Sequence, residues 1–591
     1  MQEAKKQNYL EGAAILAAAS IIVKIVGAIY KLPIYNILDN VGTGIFQVTY
    51  NVYALLLTVA TAGIPMALSR LVSTASASGN PKLAKKYFSV ALPAFMLIGL
   101  IAMLVMYLFA DNFAMWMNNS LAAPGIRILA PAVFLVCIIS VYRGYAQGFG
   151  NMIPTAASQV VEVVSKAVFG IVAALWLVRL GSGPDVISAG AILGVTVGLA
   201  LCVPLLVWYK RKQDRGIPVL PDAGDLPGRM SVLKQIMMVS IPITLSASFM
   251  SIMVVIDNSI VLGRLQSALG YSEIGASALY GIFSRGMTIY NLPPALVVPV
   301  SVSIIPAIAA ALARKRDSAS CTDNAAGAGS VSNSDSISSA DSTNSNNMDS
   351  ADSNRSSDNK DSRNIDSAGS SEAGKIMQSS VKLVNLFAMP ASAGMMVLAS
   401  PIMIALYNDP LELTSQILVI LGLASFFVCL QYVTTAILQA NGHERVALMT
   451  FPVGAAAKIL IGYFLTGNPD FGILASPIGT LVCFIIISTL NIVFIKVRVK
   501  DRPKFLQVFT KPLLCSVVMA GAAYAVYRLV SSLLSRALGM GRYAVASYLG
   551  VAILAGVAAY GLLIILTRTI TAEDMKLIPR GEKLAKVLRI R

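Results

Sequence analysis

Six charged side chains lie inside long apolar runs of this 591-residue chain: Lys24, Glu162, Lys166, Asp257, Arg285 and Lys458. A helix rising ~1.5 Å per residue crosses a bilayer in about 20 apolar residues, and each of these runs is that long. A Lys, Arg or Asp at the centre of such a helix costs about 2.5–3.5 kcal/mol on insertion scales. It therefore faces protein or water and is read as functional. Lys24 stands far from either end of Leu10–Leu38, whereas Lys31, one or two turns on, reads as a snorkelling side chain. Arg285 follows Gly281-Ile282-Phe283-Ser284, and its forked donors suit bidentate contact with phosphate. Glu162 and Lys166 are i,i+4 in the favourable order, which predicts that they neutralise each other. Asp257 either pairs with a lysine across a cavity or sits near the outer end of its helix, in water.

The balance of this set is cationic. A proton- or sodium-coupled exporter of cationic drugs would show acidic residues dominating its cavity. A cationic cavity suits an anion with a long apolar part, such as a lipid diphosphate. Lys24, Arg285, Lys458 and Lys166 are the candidate substrate-binding residues; Glu162 and Asp257 are candidate ion-coupling groups or charge partners. No Walker A, GxSxG or HExxH pattern occurs, so neither an enzyme activity nor a cofactor is expected. His443 is the single histidine and the six cysteines are scattered without ligand spacing, so no metal site is expected either.

The elements that position these charges are apolar helices. Hydrophobic residues make up 56% of the chain and charged residues 13%, about half the charged share of an average soluble domain. The expected fold is an all-α polytopic membrane protein. After the first run, apolar stretches cover 42–72, 83–110, 121–149, 153–178, 186–209, 231–262 and 276–312. A second series covers 376–407, 412–440, 446–467, 471–497, 506–530 and 542–567, for about 14 transmembrane helices in all. Ala17-Ala18-Ala19 imitates a signal cleavage site, but the apolar run continues well past it, so an uncleaved first span is expected.

Alternate loops carry Lys5/Lys6, Lys82/Lys85/Lys86, Lys210/Arg211/Lys212/Arg215, Arg314/Lys315/Arg316 and Lys496 to Lys504, with a basic tail from Lys576. The loops around Asp39, Asp111, Asp185, Asp409 and Asp470 are nearly free of Lys and Arg. The positive-inside rule then puts both termini in the cytoplasm, as an even number of spans requires. The formal charge of +17 is mostly topological, and no nucleic-acid partner is expected. Arg70 and Arg143 read as interfacial at cytoplasmic ends, and Trp116 as an outer interface anchor. Residues 317–374, rich in Ser, Asp and Asn, read as a disordered cytoplasmic insertion.

The chain also repeats itself. Gln147, Gly150, Lys166 and Gly170 match Gln439, Gly442, Lys458 and Gly462 at one common offset. Gly44-Ile45-Phe46 and Tyr53 match Gly281-Ile282-Phe283 and Tyr290 at a shorter one. The two offsets differ by nearly the length of the polar tract, which falls between the matching sets. The expected organisation is an N-lobe at 1–215, a C-lobe at 216–316 and 375–500 interrupted by the tract, two further spans at 501–570 and a tail at 571–591. Two parallel six-span lobes around a central cavity are a transporter arrangement. Prolines inside apolar runs, densest in NLPPALVVPVSVSIIP after Arg285, suit helices that kink. Lys24 matches Val261 in the second copy, which favours an asymmetric site with Lys24 from one lobe and Arg285 from the other.

Gly63-Ile64-Pro65-Met66-Ala67-Leu68-Ser69-Arg70-Leu71-Val72 resembles a G-x-P-x-A-x-S-K-L-V segment of the SpoVB/MurJ-like polysaccharide-biosynthesis proteins. So does Arg143-Gly144-Tyr145-Ala146-Gln147-Gly148 with the following Asn151, Pro154, Ala156 and Ser158 to Glu162. These proteins belong to the multidrug/oligosaccharidyl-lipid/polysaccharide exporter superfamily. The resemblance implies 14 helices in two lobes and transfer of a lipid-linked saccharide diphosphate, foremost lipid II, between leaflets of the bacterial plasma membrane. Membrane lipids and cell-wall synthesis enzymes are the implied partners. Lys24 and Arg285 fall where MurJ-like members carry cavity arginines, and Lys166 where many relatives have Arg. The acidic residue and second arginine of some members' second span have no match here, which leaves another undecaprenyl-linked saccharide or a sporulation-specific cargo open. A cation-coupled multidrug antiporter of the same superfamily is the alternative.

Overall fold

The computed structural model describes residues 29–215, 227–312, 355–499 and 503–569, apart from gaps of one or two residues, and a few positions between 19 and 27. Of 355–372 and scattered helical positions it describes the backbone alone. Lys24, residues 317–354 of the polar tract and the basic tail lie outside the described residues.

Among the described residues every regular element is helical. The first lobe holds α1 (29–37), α2 (Asp39–Thr61), α3 (Ile64–Ala77), α4 (Pro81–Leu108), the short α5 (Ala110–Trp116), α6 (Ala123–Gly148), α7 (Ile153–Arg179) and α8 (Pro184–Arg215). The second holds α9 (Arg229–Ser267), α10 (Glu273–Tyr290), α11 (Leu292–Ser301), α12 (Arg355–Val397), α13 (Ala399–Tyr407), α14 (Glu412–Ala440), α15 (Glu444–Thr466) and α16 (Ala475–Arg498). α17 (Phe505–Leu538) and α18 (Arg542–Leu566) pack together, α17 on α12 and α18 on α13.

The helix starts follow local chemistry. Prolines open α3, α4, α6 and α7, where the missing N–H has no partner to lose. Asn80 caps α4 by accepting from the Leu83 N–H, and Ser272 caps α10 by accepting from the Gly275 N–H. The two repeat-related glycines Gly150 and Gly442 both adopt positive φ, +75° and +76°, where each closes the turn between equivalent helices.

Among the described residues eleven helical stretches are long and apolar enough to cross a membrane. Of the other three expected spans, the first lies partly outside the described residues and the seventh lies within α9. The eighth is divided into α10 and α11 at Asn291, just before Pro293-Pro294. One expectation changes. The polar tract is not irregular to its end, because the helix α12 starts at Arg355, inside it. Once an apolar span has nucleated a helix, extending it into a polar segment costs far less than starting one there.

Helix ends group into one that carries Asp39, Asp111, Asp185, Asp409 and Asp470, called here the acidic end, and an opposite, basic end. Lobe-to-lobe packing among the described residues runs through α2, α3 and α4 against α9, and α2 against α10. The largest apolar core crosses this boundary, joining Ile45, Phe46 and Val52 to Val261, Tyr280 and Ile289. At the crossing of α2 and α10 the two repeats meet reciprocally. A Cβ added at Gly44 would strike the Ser277 carbonyl, and one added at Gly281 would strike the Asn40 carbonyl. The offset that relates Gly44 to Gly281 also relates Asn40 to Ser277, so the contact is two-fold in sense. Backbone-to-backbone approach of this kind is how helices gain packing energy where lipid replaces water.

Candidate functional site

Lys31, Lys166 and Arg285 gather near the lobe boundary, where α1 and α2 of one lobe face α10 of the other. Tyr35, buried at the end of α1, is the hub. Its ring lies edge-on to Phe46, and Phe46 stacks parallel to Tyr50 on α2, with centroids 5.9 and 6.4 Å apart. The Lys31 ammonium lies 5.9 Å from the Tyr35 ring centroid. Lys166 reaches in from α7 and rests 4.8 Å from the Tyr50 centroid and 5.5 Å from that of Tyr30. From the opposite lobe, Arg285 donates from Nη2 to the Tyr35 carbonyl at 2.8 Å. Two cations of one lobe and one of the other thus border a single group of tyrosines. Aromatic faces hold cations at about 0.5–2 kcal/mol each without neutralising them.

The neighbouring carboxylates are engaged elsewhere. Glu162 does not pair with Lys166. It accepts from Arg143 Nη2 at 3.0 Å, while Arg143 Nε donates to Ser158 Oγ at 2.9 Å. Arg143 is therefore an inward, mostly buried partner and not the interfacial residue its place near a helix end suggests. A crossing helix offers a guanidinium to Glu162, and its forked geometry fits a carboxylate better than a lysine one turn away. Asp257 on α9 pairs with Lys458 on α15 at 2.8 Å, within the second lobe. Asp257 thus takes neither of its two expected placements: it pairs with a lysine, but one of its own lobe and not one across a cavity. Lys458 is thereby drawn away from the tyrosine hub. Arg285 is buried and lies 3.6 Å from the equally buried Asp409, with its guanidinium 5.4 Å from the Tyr407 ring centroid.

A hydrogen-bonded chain ties the hub across the boundary. Tyr35 donates to Gln47, Gln47 to Asn51, Asn51 to the Tyr280 hydroxyl, and Tyr280 to Asn258. Nearer the acidic end, Glu273 accepts from Ser120 Oγ and the Leu121 N–H, Asn119 donates to Ser277, and Ser259 donates to the Trp116 carbonyl. Asn36 donates to the Leu406 carbonyl at 2.8 Å. The lobes are thus latched at the acidic end.

Of the expected binding residues, the structure brings Lys166 and Arg285 together, sets Lys458 apart in an ion pair, and leaves Lys24 outside the described residues. Sequence reasoning missed three contributors. Lys31 was legible, since it lies seven residues after Lys24 and so on the same face two turns on. The tyrosines read as ordinary span residues. Asp409 reads as an acidic loop residue, and nothing in the sequence marks its approach to Arg285.

Comparison with known proteins follows the same lines. A family model described as polysaccharide biosynthesis protein matches residues 9–312. The chain is 24% identical over 593 residues to the uncharacterized membrane protein YabM of Bacillus subtilis (strain 168), across 99% of this chain and 98% of that protein. It is 31% identical over 229 residues to the lipid II flippase MurJ of the same organism, across 36% of this chain and 42% of that one. A solved lipid II flippase MurJ in an inward closed conformation shares the fold with a TM-score of 0.63 at 13% identity, over 94% of this chain and 98% of that one.

Proposed function

The chain belongs to the polysaccharide biosynthesis protein family, and from that premise we propose that it is a flippase for a lipid-linked oligosaccharide. The cargo we assign is an undecaprenyl-diphosphate saccharide, foremost the peptidoglycan precursor lipid II, moved from the inner to the outer leaflet of the bacterial plasma membrane. The observation that carries this reading is the convergence of Lys31, Lys166 and Arg285 on the Tyr30–Tyr35–Tyr50 group at the lobe boundary. Among the described residues no carboxylate pairs with Lys31 or Lys166. Lysines held by aromatic faces alone remain charge-available, and a diphosphate is the group that would satisfy them.

In this reading the acidic end faces the exterior and both termini the cytoplasm, by the distribution of Lys and Arg among the loops. The latched acidic end is then the closed outer gate, and the lobes rock apart there to release cargo. The chain carries no catalytic group for this work and acts as a carrier. Enzymes that polymerise cell-wall precursors on the far side are its natural partners. Antiport of cationic drugs finds less support, because Glu162 and Asp257 are each held by a basic side chain.

The test is complementation of a bacterial strain depleted of its lipid II flippase, with accumulated precursor as the readout. The intact chain is expected to restore growth and clear the precursor. Lys24→Ala and Arg285→Ala, present in the membrane at equal level, are expected to leave it accumulated. Clearance by both variants would remove these residues from the site.

A further inference from the structure

We propose that Asp409 is a tethered anion that occupies Arg285 when no cargo is bound, and that the cargo diphosphate displaces it. The proposal rests on the reading of Arg285 as a phosphate contact.

The ion pair is loosely made for one so deeply buried. Arg285 Nη1 and Asp409 Oδ2 are 3.6 Å apart, inside ion-pair range but beyond hydrogen-bonding distance. Arg285 Nε and Asp409 Oδ2 are both buried without a hydrogen-bond partner, and so is the Tyr407 hydroxyl. A buried pair kept for stability alone would close to the bidentate contact that guanidinium and carboxylate favour, at about 2.7–2.9 Å. Unpaired buried polar atoms are a standing cost, and a ligand oxygen arriving at the guanidinium would relieve it.

The two partners are also held unequally. Asp409 follows Asn408, which takes the left-handed conformation at φ +53° and ends α13. Asp409 Oδ1 is fixed by the Leu411 N–H at 3.2 Å. The end of α13 is pinned from α18, where Arg542 donates to the Ala405 carbonyl at 3.1 Å and the Leu406 carbonyl at 2.7 Å. The carboxylate is therefore a fixed post, and the long Arg285 side chain is the member that moves. The short hydrogen bond from Arg285 to the Tyr35 carbonyl crosses the lobe boundary. Swinging Arg285 onto a diphosphate gives up that bond, so occupancy of the site removes one contact between the lobes. An empty carrier keeps its arginine beside Asp409 and that contact in place.

The test is equilibrium binding of farnesyl diphosphate to the full chain in nanodiscs. Asp409→Asn removes the competing anion and is expected to tighten binding on the order of tenfold, the scale of one charge-assisted hydrogen bond. Asp409→Glu is expected to bind as the intact chain does. In an Arg285→Ala background, Asp409→Asn is expected to change nothing, which a double-mutant cycle reads directly. If Asp409 only props Arg285 in place, Asp409→Asn weakens binding or leaves it unchanged, and the proposal is overturned. If Arg285→Ala binds as tightly as the intact chain, the phosphate reading itself fails, whatever Asp409→Asn does. Should Asp409→Asn not fold, Asp409→Ser takes its place with the same expectation.

Discussion

Lys166 in the first lobe and Lys458 in the second occupy the same place in the repeat, yet they end in different company. Lys458 meets Asp257 at 2.8 Å, whereas Lys166 rests on two tyrosine rings. The difference comes from the first helix of each lobe. The repeat offset sets Ser20 against Asp257 and Lys24 against Val261, so each copy carries one charge in this stretch, a cation in the first and, one turn earlier, an acid in the second. A second substitution goes with it. Arg143 and Glu162 form an ion pair in the first lobe, where the second has Thr435 and Gly454. There Asn491 instead donates to Thr434 and Thr435 and accepts from Thr450, a neutral network in the same locality. Two lobes with one backbone plan thus differ in whether their lysine is neutralised. A lysine left to aromatic faces is available to a ligand; a lysine paired with a buried acid is part of the scaffold.

What the lobes share is most exposed at the α2–α10 crossing, and breaking it has the largest expected effect. Gly44 and Gly281 each face a backbone carbonyl of the other lobe, which cannot rotate away as a side chain would. Leucine at either position is expected to cost beyond about 3 kcal/mol, past the usual range for overpacking. Thermal unfolding of the purified variants measures it. Equal losses at the two positions would bear out the reciprocal contact. A large loss at Gly281 with none at Gly44 would show that the crossing is not shared symmetrically.

The next effect separates the two lysines. Asp257→Ala strands the Lys458 ammonium in a mostly buried position, at an expected cost of about 2–3 kcal/mol, reduced because that side chain is 22% exposed. Changing Lys458→Met as well is expected to recover most of the loss and to leave precursor clearance intact. Lys166→Met is expected to do the reverse, with a melting temperature within a few degrees of the intact chain and precursor clearance lost. If Lys458→Met alone abolished clearance in a stable protein, Lys458 would return to the substrate site and the contrast between lobes would fall.

The contrast is partly legible in the amino-acid sequence. Apolar run length carries the helices, the repeat carries the lobes, and the missing carboxylate at Gly454 marks the second lysine as differently placed. Partner choice is not legible there. The i,i+4 spacing of Glu162 and Lys166 is a local signal, and a tertiary contact from Arg143 overrides it. Arg285 meeting Asp409, and Asp257 meeting Lys458, depend on helix rotations about their own axes that a span assignment leaves free. The tyrosine hub is hidden for a related reason, since aromatic residues at helical spacing are usual in any buried span and acquire meaning only when a cation lies against them.

The smallest effect tests the aromatic support itself. The repeat sets Met287 in the second lobe against Tyr50 in the first, so the ring beneath Lys166 has no counterpart beside Lys458. Tyr50→Met gives the first lobe the residue of the second. It keeps an apolar side chain but removes the nearer of the two aromatic faces that hold the ammonium, a loss of about 0.5–1 kcal/mol at a half-buried site. Farnesyl diphosphate is then expected to bind roughly two- to fivefold more weakly, because Lys166 must be ordered by the ligand instead of by the protein. Tyr50→Phe keeps the ring and is expected to bind within twofold of the intact chain. Equal weakening in both variants would assign the effect to the Tyr50 hydroxyl, and the ring would then have no part in distinguishing Lys166 from Lys458.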